Sequence, residues 1–253
     1  MTESSPKGAV RRFPTPKTVL DILATVTMTV AAVVVIWTQL RAERSPAARN
    51  SDVPLPSAPI AMDGLGVKGS VKATVGIIGF SDFQCPYCGR FAREVFPALD
   101  RDYIQTEKVR FLFRHLPLSF HPVALPAAIA AECAGEAGRF WELHDRLFGA
   151  DPKSLTVDTV STMAGASNVA ASHLEACRTG AAAERVTRDV AIAGQLGVKS
   201  TPTFFVGRIL PTGELDAVAA IPGALPIGEF TQHIDALLER PTLGTKLRAL
   251  FSR

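Results

Sequence analysis

The sequence predicts an α/β domain: a mixed central sheet with a block of helices inserted into it. Three observations lead there: a strand–helix–strand pattern over 74–113, a helix-only stretch over about 121–196, and strand character that returns at 203–221 before a closing helix. Strand, helix, strand closes a parallel pair, and two later strands can hairpin onto that sheet.

Each element has its own signal. Thr74-Val75-Gly76-Ile77-Ile78-Gly79-Phe80 is an apolar run that reads as a buried strand leading to the cysteines. A helix follows from Cys85 to about Gln105, where Phe91, Val95, Leu99 and Tyr103 recur at spacing four and Pro97 predicts a kink. Val109-Arg110-Phe111-Leu112-Phe113 alternates as a second strand. Residues 121–196 are Ala-rich and helical, with Pro122 suited to a first turn and Phe140, Leu143, Leu147 and Phe148 on one apolar stripe. Strands return at Thr203–Gly207 and Ala217–Ile221, and Phe230, Ile234, Leu237 and Leu238 mark a helix over 226–239. The folded domain is bounded at 71–240, with a tail over 241–253.

Ahead of that domain the composition changes twice. Residues 1–18 are polar and contain three prolines, which suits a cytoplasmic tail. Residues 19–40 are apolar, and from Ile22 to Leu40 carry no charge, long enough to cross the hydrocarbon core once. A cleaved leader would be shorter and would end at a small-residue site, whereas this run meets Arg41-Ala42-Glu43-Arg44. An uncleaved anchor is therefore expected. Basic residues before the span (Lys7, Arg11, Arg12, Lys17) outnumber by one those after it (Arg41, Arg44, Arg49), which leaves the N-terminus cytoplasmic and the domain outside. Pro46, Pro54, Pro56 and Pro59, with few large apolar groups, make 41–70 a flexible linker.

Net charge is only +3, with the basic residues dispersed, so no nucleic-acid partner is indicated. The four cysteines fall as a close pair, Cys85 and Cys88, and a distant pair, Cys133 and Cys177. A distant pair suits an oxidising compartment, where a structural bridge persists, and closing that loop would contribute roughly 4 kcal/mol. The close pair lacks the two further ligands that a structural zinc needs, so neither metal nor cofactor is expected.

Cys85-Pro86-Tyr87-Cys88 sits where strand gives way to helix. A two-residue gap places both sulfurs in the first helical turn, within reach of a reversible disulfide. Unpaired N–H groups and the positive end of the helix dipole stabilise a Cys85 thiolate there. Cys88, one turn inside, is shielded and resolves. Pro86 fixes the turn, Tyr87 completes the motif, and Asp82 is near enough to handle a proton.

Phe80-Ser81-Asp82-Phe83-Gln84-Cys85-Pro86-Tyr87-Cys88, the segment Arg139-Phe140-Trp141 through His144 to Phe148, and Gly197-Val198-Lys199-Ser200-Thr201-Pro202-Thr203-Phe204 together resemble the DsbA-like branch of the thioredoxin superfamily, in particular its membrane-anchored bacterial members. The resemblance spans about 71–240. It implies a thioredoxin-like fold with the helical block as its insertion, and a cis peptide at Thr201–Pro202 that faces the dithiol and docks an extended client. It also implies a membrane quinone-linked partner, DsbB-like or VKOR-like, that recycles the enzyme. One departure stands out: thioredoxin-type sequences hold a buried acid six positions before the first cysteine, where this chain has Gly79. The expected activity is a disulfide oxidase acting on exported, partly folded proteins with free thiols. A reductase, as in cytochrome maturation, and a tethered client-binding module are the alternatives.

Overall fold

A computed structural model describes residues 28–30, 32 and 53–239. The chain divides into two units, Met1–Asn50 and Ser51–Arg253. In the first, residues 28–30 and 32 are helical. The expected tail 1–18, most of the anchor 19–40 and the tail beyond 239 lie outside the described residues. Among the described residues, no helix is long and apolar enough to cross a membrane.

The second unit is built on a six-stranded sheet of β1 (Ile60–Ala61), β2 (Val67–Lys68), β3 (Val75–Ser81), β4 (Val109–His115), β5 (Thr203–Ile209) and β6 (Glu214–Pro222). Their order across the sheet is β1-β6-β5-β3-β4-β2. β3 and β4 run parallel, from Val75 opposite Val109 to Ser81 opposite His115, and every other pairing is antiparallel. All seven residues of β3 are buried, because both faces of the sheet are covered. Strand alternation divides the core in two. Val75, Ile77, Phe111, Phe113, Phe204 and Val206 pack into one cluster, and Ile78, Phe80, Leu112 and Phe205 into the other.

Helix α1 begins as Pro86–Arg90, widens into a π-turn at Phe91–Val95, tightens over Phe96–Leu99 and widens again at Asp100–Ile104. Pro97, which has no N–H to give, follows the first wide turn, so the expected kink is realised as a local widening. The same feature explains the spacing of four. An α-turn carries such a series ahead of its face and a wider turn carries it back, so Phe91, Val95 and Leu99 all stay buried.

The insertion comprises α2 (Ala124–Glu136), α3 (Phe140–Gly149), α4 (Val157–Ala166), α5 (Ala171–Cys177) and α6 (Ala181–Gln195), and α7 (Ile227–Glu239) closes the domain. Helix α2 packs against the other four helices of the insertion, which is why it is the most apolar of them: Ala127, Ala131, Cys133 and Ala134 are wholly buried. It starts at Ala124, two residues later than Pro122 suggested, because His121 to Ala124 forms a separate turn. A disulfide joins Cys133 in α2 to Cys177 at the end of α5.

The linker expected over 41–70 needs correcting. Strand β1 pairs with β6 and β2 with β4, so both edges of the sheet are closed by residues from this segment. Its few apolar side chains are the reason. Val53, Ile60 and Met62 are all buried in the second cluster. Gly76 makes room for this strap, since a Cβ there would collide with Met62 and Leu215.

Candidate active site

The dithiol stands where β3 ends. Asp82, Phe83 and Gln84 turn the chain, with the Asp82 carbonyl accepting from the Cys85 N–H at 3.1 Å and its carboxylate Oδ1 from the Gln84 N–H at 2.7 Å. Cys85 then occupies the N-cap of α1 with Pro86 as the first helical residue, and its carbonyl accepts the first helical bond from Gly89 at 3.1 Å. Proline is favoured there because its missing N–H would have had no helical partner. Cys85 and Cys88 are both free thiols and both buried, 4% and 1% exposed. Pro86 and Tyr87 between them are exposed, and the Arg90 guanidinium lies 5.3 Å from the Tyr87 ring. The motif therefore shows its middle to solvent and keeps its sulfurs beneath.

Residues far along the chain complete the site. The Thr201–Pro202 peptide is cis and both residues are buried. The Cys85 thiol points at the Thr201 carbonyl, 3.5 Å away. Gly223, beyond β6, donates to the Pro202 carbonyl at 2.7 Å and fixes the loop. Thus Cys85, Cys88, Thr201 and Pro202, singled out from sequence, converge.

The two sulfurs have opposite electrostatics. Hydrogen bonding from Cys88 lowers the Cys85 pKa from 9.0 to about 5, against the opposing effect of burial, with help from the Thr201 side chain and the backbone at Cys88 and Tyr87. The Thr201 hydroxyl is buried and accepts or donates no other hydrogen bond among the described residues, which leaves it for the thiolate. Burial pushes Cys88 well above 9.0, and the neighbouring Cys85 charge adds to that. One sulfur is ionised at neutral pH and the other protonated.

Asp82 is a keystone of the turn. Its side chain is fully buried and takes three donors: Gln84 N–H, Leu118 N–H at 2.9 Å and His121 Nδ1 at 2.7 Å. Its own N–H meets the Cys88 sulfur at 3.5 Å. Gln84 ties in two more loops, accepting from Val123 N–H at 2.8 Å and donating to the Pro152 carbonyl at 3.4 Å. The side chains of Gln84 and His121 find partners 39 or more residues away, so local spacing does not announce those contacts. The acid absent at Gly79 could not be accommodated, because a Cβ there would lie within 3.0 Å of the Phe204 and Phe111 rings.

Elsewhere, His115 ends β4 and bonds Glu132 at 3.0 Å. Glu136, His173 and Cys177 come within 4.8 Å of one another, but the Cys177 sulfur is spent in its bridge to Cys133.

A paired thiolate and thiol at a helix start thus faces a cis-proline loop on a sheet with a helical insertion. The comparisons agree on the fold. Residues 64–213 match the family model described as thioredoxin. BdbD from Bacillus subtilis superposes with a TM-score of 0.63 at 23% identity, over 74% of this chain and 99% of that one. For α-DsbA1 from Wolbachia pipientis the values are 0.59, 23%, 74% and 94%. A curated relative, the Na+/H+ antiporter NhaA 3 of Salinispora tropica, is 36% identical over 149 residues, 58% of this chain. The chain spans only 22% of that relative's length. The chain belongs to the thioredoxin family.

Proposed function

We propose that the protein is a membrane-anchored disulfide oxidase working on exported proteins outside the cytoplasmic membrane. The observation that carries this reading is the unequal pair: a Cys85 thiolate stable at about pH 5 beside a Cys88 thiol that keeps its proton. In the oxidised enzyme a client thiolate attacks the Cys85 sulfur. The client–Cys85 bond forms, the Cys85–Cys88 bond breaks, and Cys88 departs with the electron pair and takes up a proton, as its raised pKa favours. A second client thiolate then attacks the client sulfur of the mixed disulfide, and Cys85 leaves as a thiolate. The client loses two electrons and two protons. A stable leaving thiolate draws the exchange in this direction. The exposed Pro86–Tyr87 tip and the Thr201 loop offer a client backbone a place to lie against the sulfur.

Three features support the location. Residues 19–40 have the length and apolarity of a single span, a buried structural disulfide suits an oxidising compartment, and curated relatives matched over part of this chain are named as Na+/H+ antiporters. Reoxidation would fall to a quinone-linked membrane partner of the DsbB or VKOR kind.

Equilibration of the full chain with glutathione tests the direction. A Cys85–Cys88 potential near −120 mV fits an oxidase, and one near −270 mV or below would make the protein a reductase instead. Cys85→Ser should abolish oxidation of a reduced, unfolded client. Retained client binding with no redox turnover in the unaltered protein would point to a client-binding module.

A further inference from the structure

Asp82 touches both members of the dithiol through its own peptide groups, its carbonyl meeting the Cys85 N–H and its N–H the Cys88 sulfur. Yet its carboxylate is fully buried in the same turn, where a negative charge opposes ionisation of a neighbouring sulfur. Two of its three donors are neutral peptide N–H groups, from Gln84 and Leu118. The third is His121, whose side chain is 17% exposed. With Nδ1 donating to Asp82, Nε2 has no hydrogen-bond partner among the described residues. His121 is thus a link between a buried carboxylate and solvent.

The other buried titratable groups are committed elsewhere. His115 pairs with Glu132, Glu132 also with Arg185, Asp189 with Arg114, and His144 with Asp145. No second cation reaches Asp82 among the described residues. Among the described residues, His121 is the titratable side chain bonded to the Asp82 carboxylate.

We propose that His121 is a positioning residue for the dithiol, carrying the positive charge that offsets the Asp82 carboxylate and so lets Cys85 ionise beside it. The inference rests on Cys85–Cys88 being the redox pair. It gives this chain, which lacks the usual buried acid under the helix, a charge pair at the turn before the helix instead.

The test uses the full chain in its reduced form, following Cys85 ionisation by thiolate absorbance and the dithiol equilibrium against glutathione. His121→Gln keeps an N–H donor near Asp82 but removes the charge. It should weaken Cys85 acidity about tenfold and shift the glutathione equilibrium about as far toward the disulfide form. His121→Lys, which restores a charge, should return both values toward those of the unaltered protein. In an Asp82→Asn background, His121→Gln should change neither. Unchanged Cys85 acidity in a folded His121→Gln protein, or an equal shift in the Asp82→Asn background, would overturn the proposal. A merely structural tie would lower stability in His121→Gln without moving Cys85 acidity. Should Cys85 of the unaltered protein titrate like a free thiol, the oxidase reading fails first, and that outcome is distinct from an acidic Cys85 indifferent to residue 121.

Discussion

Cys85 couples chemistry to stability through its charge. In the reduced protein it ionises at about pH 5 when folded but only near 9.0 when unfolded. The folded reduced state therefore gains stability as pH rises through that window, fully above 9 and not at all below about 5. At pH 7 the gain is on the order of 2–3 kcal/mol. The disulfide form has no such group, so the reduced-minus-oxidised difference in denaturant stability should shrink by that amount between pH 7 and pH 5. Thr201→Val, which removes the one hydroxyl left for the thiolate, should raise the Cys85 pKa by about one unit, read from the same absorbance titration. At this scale the sequence was most informative where partners are close together. Cys85, Cys88 and their places in the helix follow from local spacing, and Pro202 was reached through resemblance. The contacts of Gln84 and His121 depend on loops brought together by the whole fold, and no local pattern announces them.

At the scale of elements, the order of strands and helices was legible because each has a period of its own. The inner four strands and the closing helix sit within a few residues of where the pattern placed them. Strands β1 and β2 are not legible in the sequence because two residues are too few to show alternation, and the prolines around β1 disguise it. Gly79 shows how an element constrains the site it supports. It lies under the helix that bears the dithiol, and the rings of Phe204 and Phe111 fill the space a side chain would need. Gly79→Asp would force those rings apart and bury a charge without a partner. It should destabilise the protein by about 2–5 kcal/mol, measured by denaturant unfolding, rather than improve its proton transfer.

For the whole molecule, the strap over 53–68 means that the domain starts earlier than its motifs do. Val53, Ile60 and Met62 leave water when the strap closes the sheet. At about 1.5–3 kcal/mol for each large side chain, and with compact unfolded states reducing the sum, the strap contributes roughly 3–6 kcal/mol. A protein lacking residues 1–70 should therefore unfold at markedly lower denaturant than one lacking residues 1–50. Equal midpoints would show the strap to be energetically idle.

The crosslink between α2 and α5 has a consequence for how the protein comes into being. A fresh chain carries four thiols, and two of them must be joined before those helices are locked together. If mature copies perform that joining, the protein is among its own first clients. Its maturation would then be autocatalytic: slow without a seed, accelerating as finished copies accumulate, and faster the more of them are present at the start.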